Sequence, residues 1–221
     1  LKKIVKFSAF LAAALGTAIF VSAACAAQPS MNFKVQTAGG DRLKSITITV
    51  MNGRQAIQTI TYKYDLNVQP ITKLTGEALF TDVNFDGDSD LLIYLGAFGN
   101  QGVRYYACWL WDTAKGSFSY VREFQEIEEP MLDKRTHEVS SFWRNSAASH
   151  GQARYSWVNG RPVMKARLTE DYDSSGNAFY TEERIKDGNL QTILKAVPLS
   201  RIDSKYWSDK DIEPLKGRKI K

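Results

Sequence analysis

Apolar and polar side chains alternate with a period of two over most of this chain. In Ser45-Ile46-Thr47-Ile48-Thr49-Val50 the apolar positions are all β-branched, Asn52-Gly53 follows as a strong two-residue turn, and the alternation resumes from Ala56 to Tyr64. This spacing predicts a β-hairpin. The same grammar returns at Tyr155 to Val158, Asn159-Gly160 and Val163 to Leu168, and again at Tyr180 to Ile185, Asp187-Gly188 and Leu190 to Ala196. Between them, Asp90 to Leu95 and Val103 to Trp111 read as long apolar strands, and Ala114-Lys115-Gly116 turns the chain into Phe118 to Phe124. No amphipathic stretch of three helical turns stands out, and Ser204 to Lys210 admits one short turn. The pattern predicts an all-β, antiparallel hairpin meander in a single domain from about residue 30 to 205. Small propeller-like, closed barrel and sandwich arrangements all fit it.

Composition supports one sizeable core, at 43% hydrophobic and 12% aromatic residues. A formal charge of +5 suggests a nucleic-acid binder until the charges are located. Lys2, Lys3 and Lys6 at one end and Lys216, Arg218, Lys219 and Lys221 at the other supply seven of the 29 basic residues, which leaves 22 against 24 acidic ones between them. A body with a net charge of −2 offers no phosphate-neutralising surface, so nucleic acid is excluded as a partner. Residues 206–221 read as a basic C-terminal tail.

Residues 1–27 predict export. The three early lysines precede an apolar run from Phe7 to Val21, and Ala24-Cys25-Ala26 or Cys25-Ala26-Ala27 offers the small residues of a signal-peptidase site. The expected location is the periplasm or the exterior, with the mature chain starting between Cys25 and Gln28. The run from Val21 to Cys25 also has the small residues of a lipid-attachment site but lacks a Leu three positions before the cysteine. An outer-membrane lipoprotein is therefore the secondary reading, and membrane association is expected only if Cys25 is lipidated. The other cysteine, Cys108, sits in the aromatic run Tyr105 to Trp111, which predicts a buried, inert thiol and no internal disulfide.

One segment carries chemistry. Asp82-Val83-Asn84-Phe85-Asp86-Gly87-Asp88-Ser89-Asp90 places oxygen side chains at positions 1, 3 and 5, a glycine at 6 and a carbonyl at 7, the way a short loop wraps hard-cation ligands around calcium. The expected ligands are Asp82, Asn84, Asp86, the Asp88 main chain and Asp90. Ile93 stands where an EF-hand has its bidentate Glu, and Asp90 supplies the missing carboxylate before the chain enters a strand. Four carboxylates within nine residues repel one another unless a cation lies among them. A solvated acidic turn is the competing explanation. A weaker echo, Asp171-Tyr172-Asp173-Ser174-Ser175-Gly176, lacks the later carboxylates and reads as a plain turn.

The run from Asp82 to Leu91, then Gly96 to Gly102, Tyr106 to Asp112 and Lys115-Gly116-Ser117-Phe118, resembles the secreted bacterial calcium-loop proteins related to FG-GAP repeats. Phe142 to Gly151, followed by Tyr155-Ser156-Trp157 and Asn159-Gly160, resembles a second block of the same family, so the likeness spans roughly residues 44 to 195. It implies a calcium-stabilised β fold. It also implies a cell-envelope inhibitor, an immunity protein against lysozyme-like peptidoglycan hydrolases delivered by type IV secretion.

No catalytic constellation is expected. His137 and His150 are the only histidines, and neither has metal-ligand or nucleophile spacing. Glu123, Glu126, Glu128 and Glu129 before Pro130 read as a solvated edge. Trp109 with Trp111, and Tyr155 with Trp157, share strand faces, as core aromatics do. An exposed pair would instead stack on sugar rings, which keeps a carbohydrate-binding or adhesion module as the alternative function. A peptidoglycan hydrolase is the expected protein partner. Its contacts are expected on the glycine-rich loops Ala97 to Gly102 and Asn145 to Gly151, through Asn100, Asn145 and His150.

Overall fold

The computed structural model describes residues 31–38, 45–64, 78–98, 102–146, 149–203, 207, 212–215 and 218–219. The signal segment 1–27, Cys25, Asn100 and the short turn expected within 204–210, Trp207 excepted, lie outside the described residues.

The hairpins form where the alternation places them. β1 (Met31–Ala38), β2 (Ser45–Asn52) and β3 (Gln55–Lys63) make one antiparallel sheet. On β2 the residues Ile46, Ile48 and Val50 are buried and Thr47 and Thr49 turn the other way, with the Thr47 and Thr61 hydroxyls 3.1 Å apart across the pair. Each fully buried Ile or Val stabilises the fold by about 1.5–3 kcal/mol, so a register slip of one residue would forfeit the whole row. The turn falls one position later than expected. Asn52 pairs with Gln55, the loop is Gly53-Arg54, and Gly53 takes the positive φ of 59°.

A second sheet contains β4 (Ala78–Thr81), β5 (Asp90–Phe98), β6 (Val103–Asp112) and β7 (Ser117–Val121), followed by a 3-10 turn at Arg122–Glu126. The third is a run of successive hairpins. It comprises β8 (Met131–Asp133), β9 (Glu138–Ser146), β10 (Ser149–Val158), β11 (Arg161–Tyr172), β12 (Ala178–Lys186) and β13 (Asn189–Pro198), with β14 (Ile212–Pro214) added beside β8. Asn159 and Gly160 have φ of 50° and 72°, and Asp187 and Gly188 have 52° and 76°. Such left-handed pairs are what a two-residue turn between right-twisted strands requires.

The second sheet lies between the other two, which explains its composition. Leu91, Ile93, Ala107, Trp109, Trp111 and Phe118 pack on Ile46, Ile48, Val50 and Ile60 of the first sheet. Leu92, Tyr106, Cys108, Leu110 and Val121 face the other way, onto Phe124, Ile127, Leu132 and Val139. A strand covered on both faces reads as a continuous apolar run rather than an alternating one, as β5 and β6 do. The architecture is a sandwich-like stack of open antiparallel sheets in one domain, and the closed-barrel alternative falls away.

The segment read as a basic tail contributes to the fold. β14 pairs with β8, β15 (Arg218–Lys219) pairs with β4, and Trp207 is buried against Ala166 and Leu168 with the Arg154 guanidinium 4.6 Å above its ring. Residues 212–214 and 218–219 thus add edge strands to the third and second sheets.

Cys108 is fully buried, and burial followed by the nearby Asp90 charge pushes its thiol well above the usual value. A thiol reagent is therefore expected to modify it only in denaturant. Rapid labelling in native buffer would show that the middle sheet opens.

Candidate functional site

The acidic segment connects β4 to β5 and is fastened at its root. Asp90, with 0% of its surface exposed, accepts the Val83 N–H through Oδ2 at 2.9 Å and the Trp111 N–H through Oδ1 at 3.0 Å. Val83 is itself buried in the second core, and its carbonyl accepts the Trp157 Nε1–H at 2.7 Å. One carboxylate and one indole thus tie the loop to the second and third sheets.

Beyond this root the loop bonds to itself. Gly87 N–H donates to Asp82 Oδ2 at 3.0 Å, Asp86 N–H to Asn84 Oδ1 at 3.3 Å, Asn84 Nδ2 to Asp86 Oδ2 at 2.6 Å and Asp88 N–H to Asp86 Oδ1 at 2.8 Å. Gly87 has φ of 93°, a conformation that costs a glycine little and an L side chain much. Phe85 also lies in the left-handed region at 63°, where its ring stacks 5.2 Å from His137, a second residue of positive φ.

The electrostatics are those of crowded acids. Burial pushes Asp90 up to about 7 against the pull of its two backbone N–H donors, and the Asp86 and Asp82 charges push in the same direction as burial. Asp82 is raised by burial against the N–H groups of Gly87, Phe85 and Asp86, with Asp86 repulsion added. Asp82 Oδ1 is buried without a hydrogen-bond partner. An unsatisfied buried carboxylate oxygen beside other acids is the environment a hard cation relieves. The Asp88 side chain accepts the Thr113 hydroxyl at 2.5 Å, which leaves its carbonyl for the role the spacing gives it. Among the described residues no three Asp, Glu, His or Cys side chains converge on one point, so the five candidates form a wrapped loop rather than a finished cage.

The weaker echo is a turn. Asp173 caps it by accepting from the N–H groups of Ser175 and Asn177 and from Asn177 Nδ2.

The acidic stretch before Pro130 is more than a solvated edge. Glu129 accepts Arg104 Nε at 2.6 Å and the Arg104 N–H at 2.8 Å, while the Glu128 carboxylate accepts the Tyr105 hydroxyl and its carbonyl accepts Ser141 Oγ at 2.7 Å. This segment clasps β6 to β9. Glu123 meets Arg161 at 3.4 Å, and the Glu126 side chain makes no hydrogen bond or ion pair among the described residues.

The second of the expected contact loops also changes character. Asn145 and Ser146 end β9, and Ser149, His150 and Gly151 begin β10, so the second loop is a hairpin tip. The Asn145 side chain lies outside the described residues. His150 stands within a strand, its ring 6.2 Å from Phe142 and 6.4 Å from Tyr172, and its Nε2 is 3.3 Å from Glu170 Oε2. Burial opposes ionisation of Glu170, but the Tyr172 and Tyr180 hydroxyls and His150 outweigh it and hold the carboxyl below its usual range.

Neither aromatic pair forms an exposed platform. Trp109 and Trp111 are 7% and 4% exposed in the first core, and Tyr155 and Trp157 pack against the second. The sequence reading did not single out Trp143, a half-buried aromatic on β9. It lies opposite Gly151 on β10 and borders a groove on the third sheet.

No protein-family model matches the chain, and no curated protein matches it in sequence. Among solved structures it is similar to a Xanthomonas type IV secretion system related protein, with a TM-score of 0.54 and 21% identity over 73% of this chain and 86% of that one. At that identity the likeness is one of fold.

Proposed function

We propose that this chain is an exported, calcium-stabilised binding protein that blocks a lysozyme-like peptidoglycan hydrolase in the cell envelope. The observation that carries the reading is the stacked-sheet fold shared with a type IV secretion system related protein. The wrapped Asp82–Asp90 loop and the lysine-led apolar N-terminus fit the same role. In this reading Asp82, Asn84, Asp86 and Asp90 side chains and the Asp88 carbonyl hold calcium. The cation neutralises the crowded acids and rigidifies the junction between β4 and β5, and it takes part in no reaction. The chain contributes binding rather than catalysis. Its mildly acidic body would speed encounter with a basic hydrolase.

The test mixes the purified protein with lysozyme-like hydrolases from its own genome and from competing bacteria and follows lysis of cell walls. Near-stoichiometric inhibition of at least one enzyme is expected. Undiminished lysis at micromolar protein for all of them would overturn the proposal.

A further inference from the structure

Beside the second core, the face of the third sheet that carries Val139 and Tyr155 lines an open groove of about 490 Å³, within the range of small-ligand clefts. Its floor follows from the strand register. Val139 pairs with Tyr155, Ser141 with Ala153 and Trp143 with Gly151 across β9 and β10; Gly151 pairs in turn with Thr169, and Ser149 with Asp171, on β11. The Trp143 indole leans onto Gly151, where a Cβ would come within 2.4 Å of the ring, so glycine is what lets the ring settle on the sheet.

Polar groups border this ring on both sides. Glu126 and Glu128 overhang the Tyr155 end, where their charges help burial push the Tyr155 hydroxyl up while Arg167 opposes them. Asp171 and Thr169 lie toward the other end. Arg167 is already paired with Glu183 at 2.5 Å, whereas the side chains of Glu126, Asp171 and Thr169 have no hydrogen-bond or ion-pair partner among the described residues. An aromatic flanked by uncommitted carboxylate and hydroxyl groups offers an apolar surface for ring C–H groups and acceptors for hydroxyl donors. Its surplus of acid disfavours an anionic ligand.

We propose that the Trp143 groove binds a neutral pyranose oligosaccharide, one sugar ring stacking on the indole while the sugar hydroxyls donate to Glu126 and Asp171. This goes beyond the hydrolase reading and does not depend on it, because the groove is separate from the calcium loop and is probed without any enzyme.

The test titrates the calcium-loaded protein with the β-1,4-linked N-acetylglucosamine trimer by calorimetry and saturation-transfer NMR, with tri-arginine as a cationic control. Wild type is expected to bind the trimer, Trp143→Ala to weaken it at least tenfold, and Glu126→Gln/Asp171→Asn to weaken it severalfold with an unchanged melting temperature. The double variant removes only unpartnered surface charge, so it carries the test even if Trp143→Ala fails to fold. Absence of trimer binding at 10 mM would overturn the proposal. So would trimer binding that neither variant alters, or tri-arginine binding alone that the double variant abolishes.

Discussion

Replacing Asp90 by alanine is expected to lower the unfolding free energy by about 3–5 kcal/mol, the largest loss of any substitution in the acidic loop. The Val83 and Trp111 N–H groups would lose their acceptor in the buried interior, at about 1–3 kcal/mol each, and the vacated volume adds to that. Asp90→Asn should fall between wild type and alanine, since its amide keeps one acceptor but turns two donors toward a backbone N–H. Urea unfolding measures both through the midpoint at constant slope. A loss under about 1 kcal/mol for alanine would mean that the clasp does not hold the loop.

The same carboxyl ties stability to pH and, under the proposed calcium binding, would tie it to the cation as well. Asp90 is raised on folding from an ordinary 3.8 to about 7, so the folded state holds its proton more tightly than the unfolded chain does. The stability this confers is complete below about pH 4 and is lost as pH rises through about 7. The metal-free protein should therefore weaken across that window, and Asp82, raised in the same direction, adds to the trend. If the loop holds calcium as proposed, the cation favours the ionised carboxyls, so the stabilisation should grow with pH, reaching about 2.7 kcal/mol at a hundredfold excess over Kd. Melting curves in chelator and in calcium at pH 5 and 7.5 test this, with Asp86→Ala expected to abolish the calcium response. A wild-type curve at pH 7.5 that is indifferent to calcium would reduce the loop to an acidic turn.

What could be read from the sequence was local. Period-two alternation and Asn-Gly or Asp-Gly pairs located the hairpins because a two-residue turn and a half-buried strand leave their signature in adjacent positions. The stacking order was hidden, since Leu91-Leu92-Ile93 announces a strand buried on both faces without naming what covers either one. The acidic spacing marked the loop, but its anchoring through Val83, Trp111 and Trp157 depends on residues up to 74 positions apart. Polar composition is a poor guide to exposure where the partner lies far away in sequence. The glutamates at 128 and 129 find Tyr105 and Arg104 across the fold, and the basic C-terminal segment supplies edge strands. Trp143 was passed over because its significance lies in the residue opposite it, and the tip of that hairpin carries no turn signal to fix the register.

Gly151→Ala is expected to destabilise the protein by about 2–3 kcal/mol even though it adds a single methyl group at an ordinary strand position. An ideal Cβ there would lie 2.3 Å from the Leu168 carbonyl oxygen and 2.4 Å from Cζ2 of Trp143. The ring can swing aside, but the carbonyl belongs to the β10–β11 ladder and moves only if the pairing spreads. Two costs are thereby separated. In a Trp143→Ala background the ring collision is gone, so the alanine at 151 should cost less than in wild type, yet it should still cost more than 1 kcal/mol because the backbone overlap remains. A double-mutant cycle by urea unfolding reads the difference directly. Full rescue by Trp143→Ala would show that the ladder tolerates the methyl and that Gly151 serves only to seat the indole. No rescue at all would show that the ring was never pressed against the sheet, which would remove the structural basis for the groove.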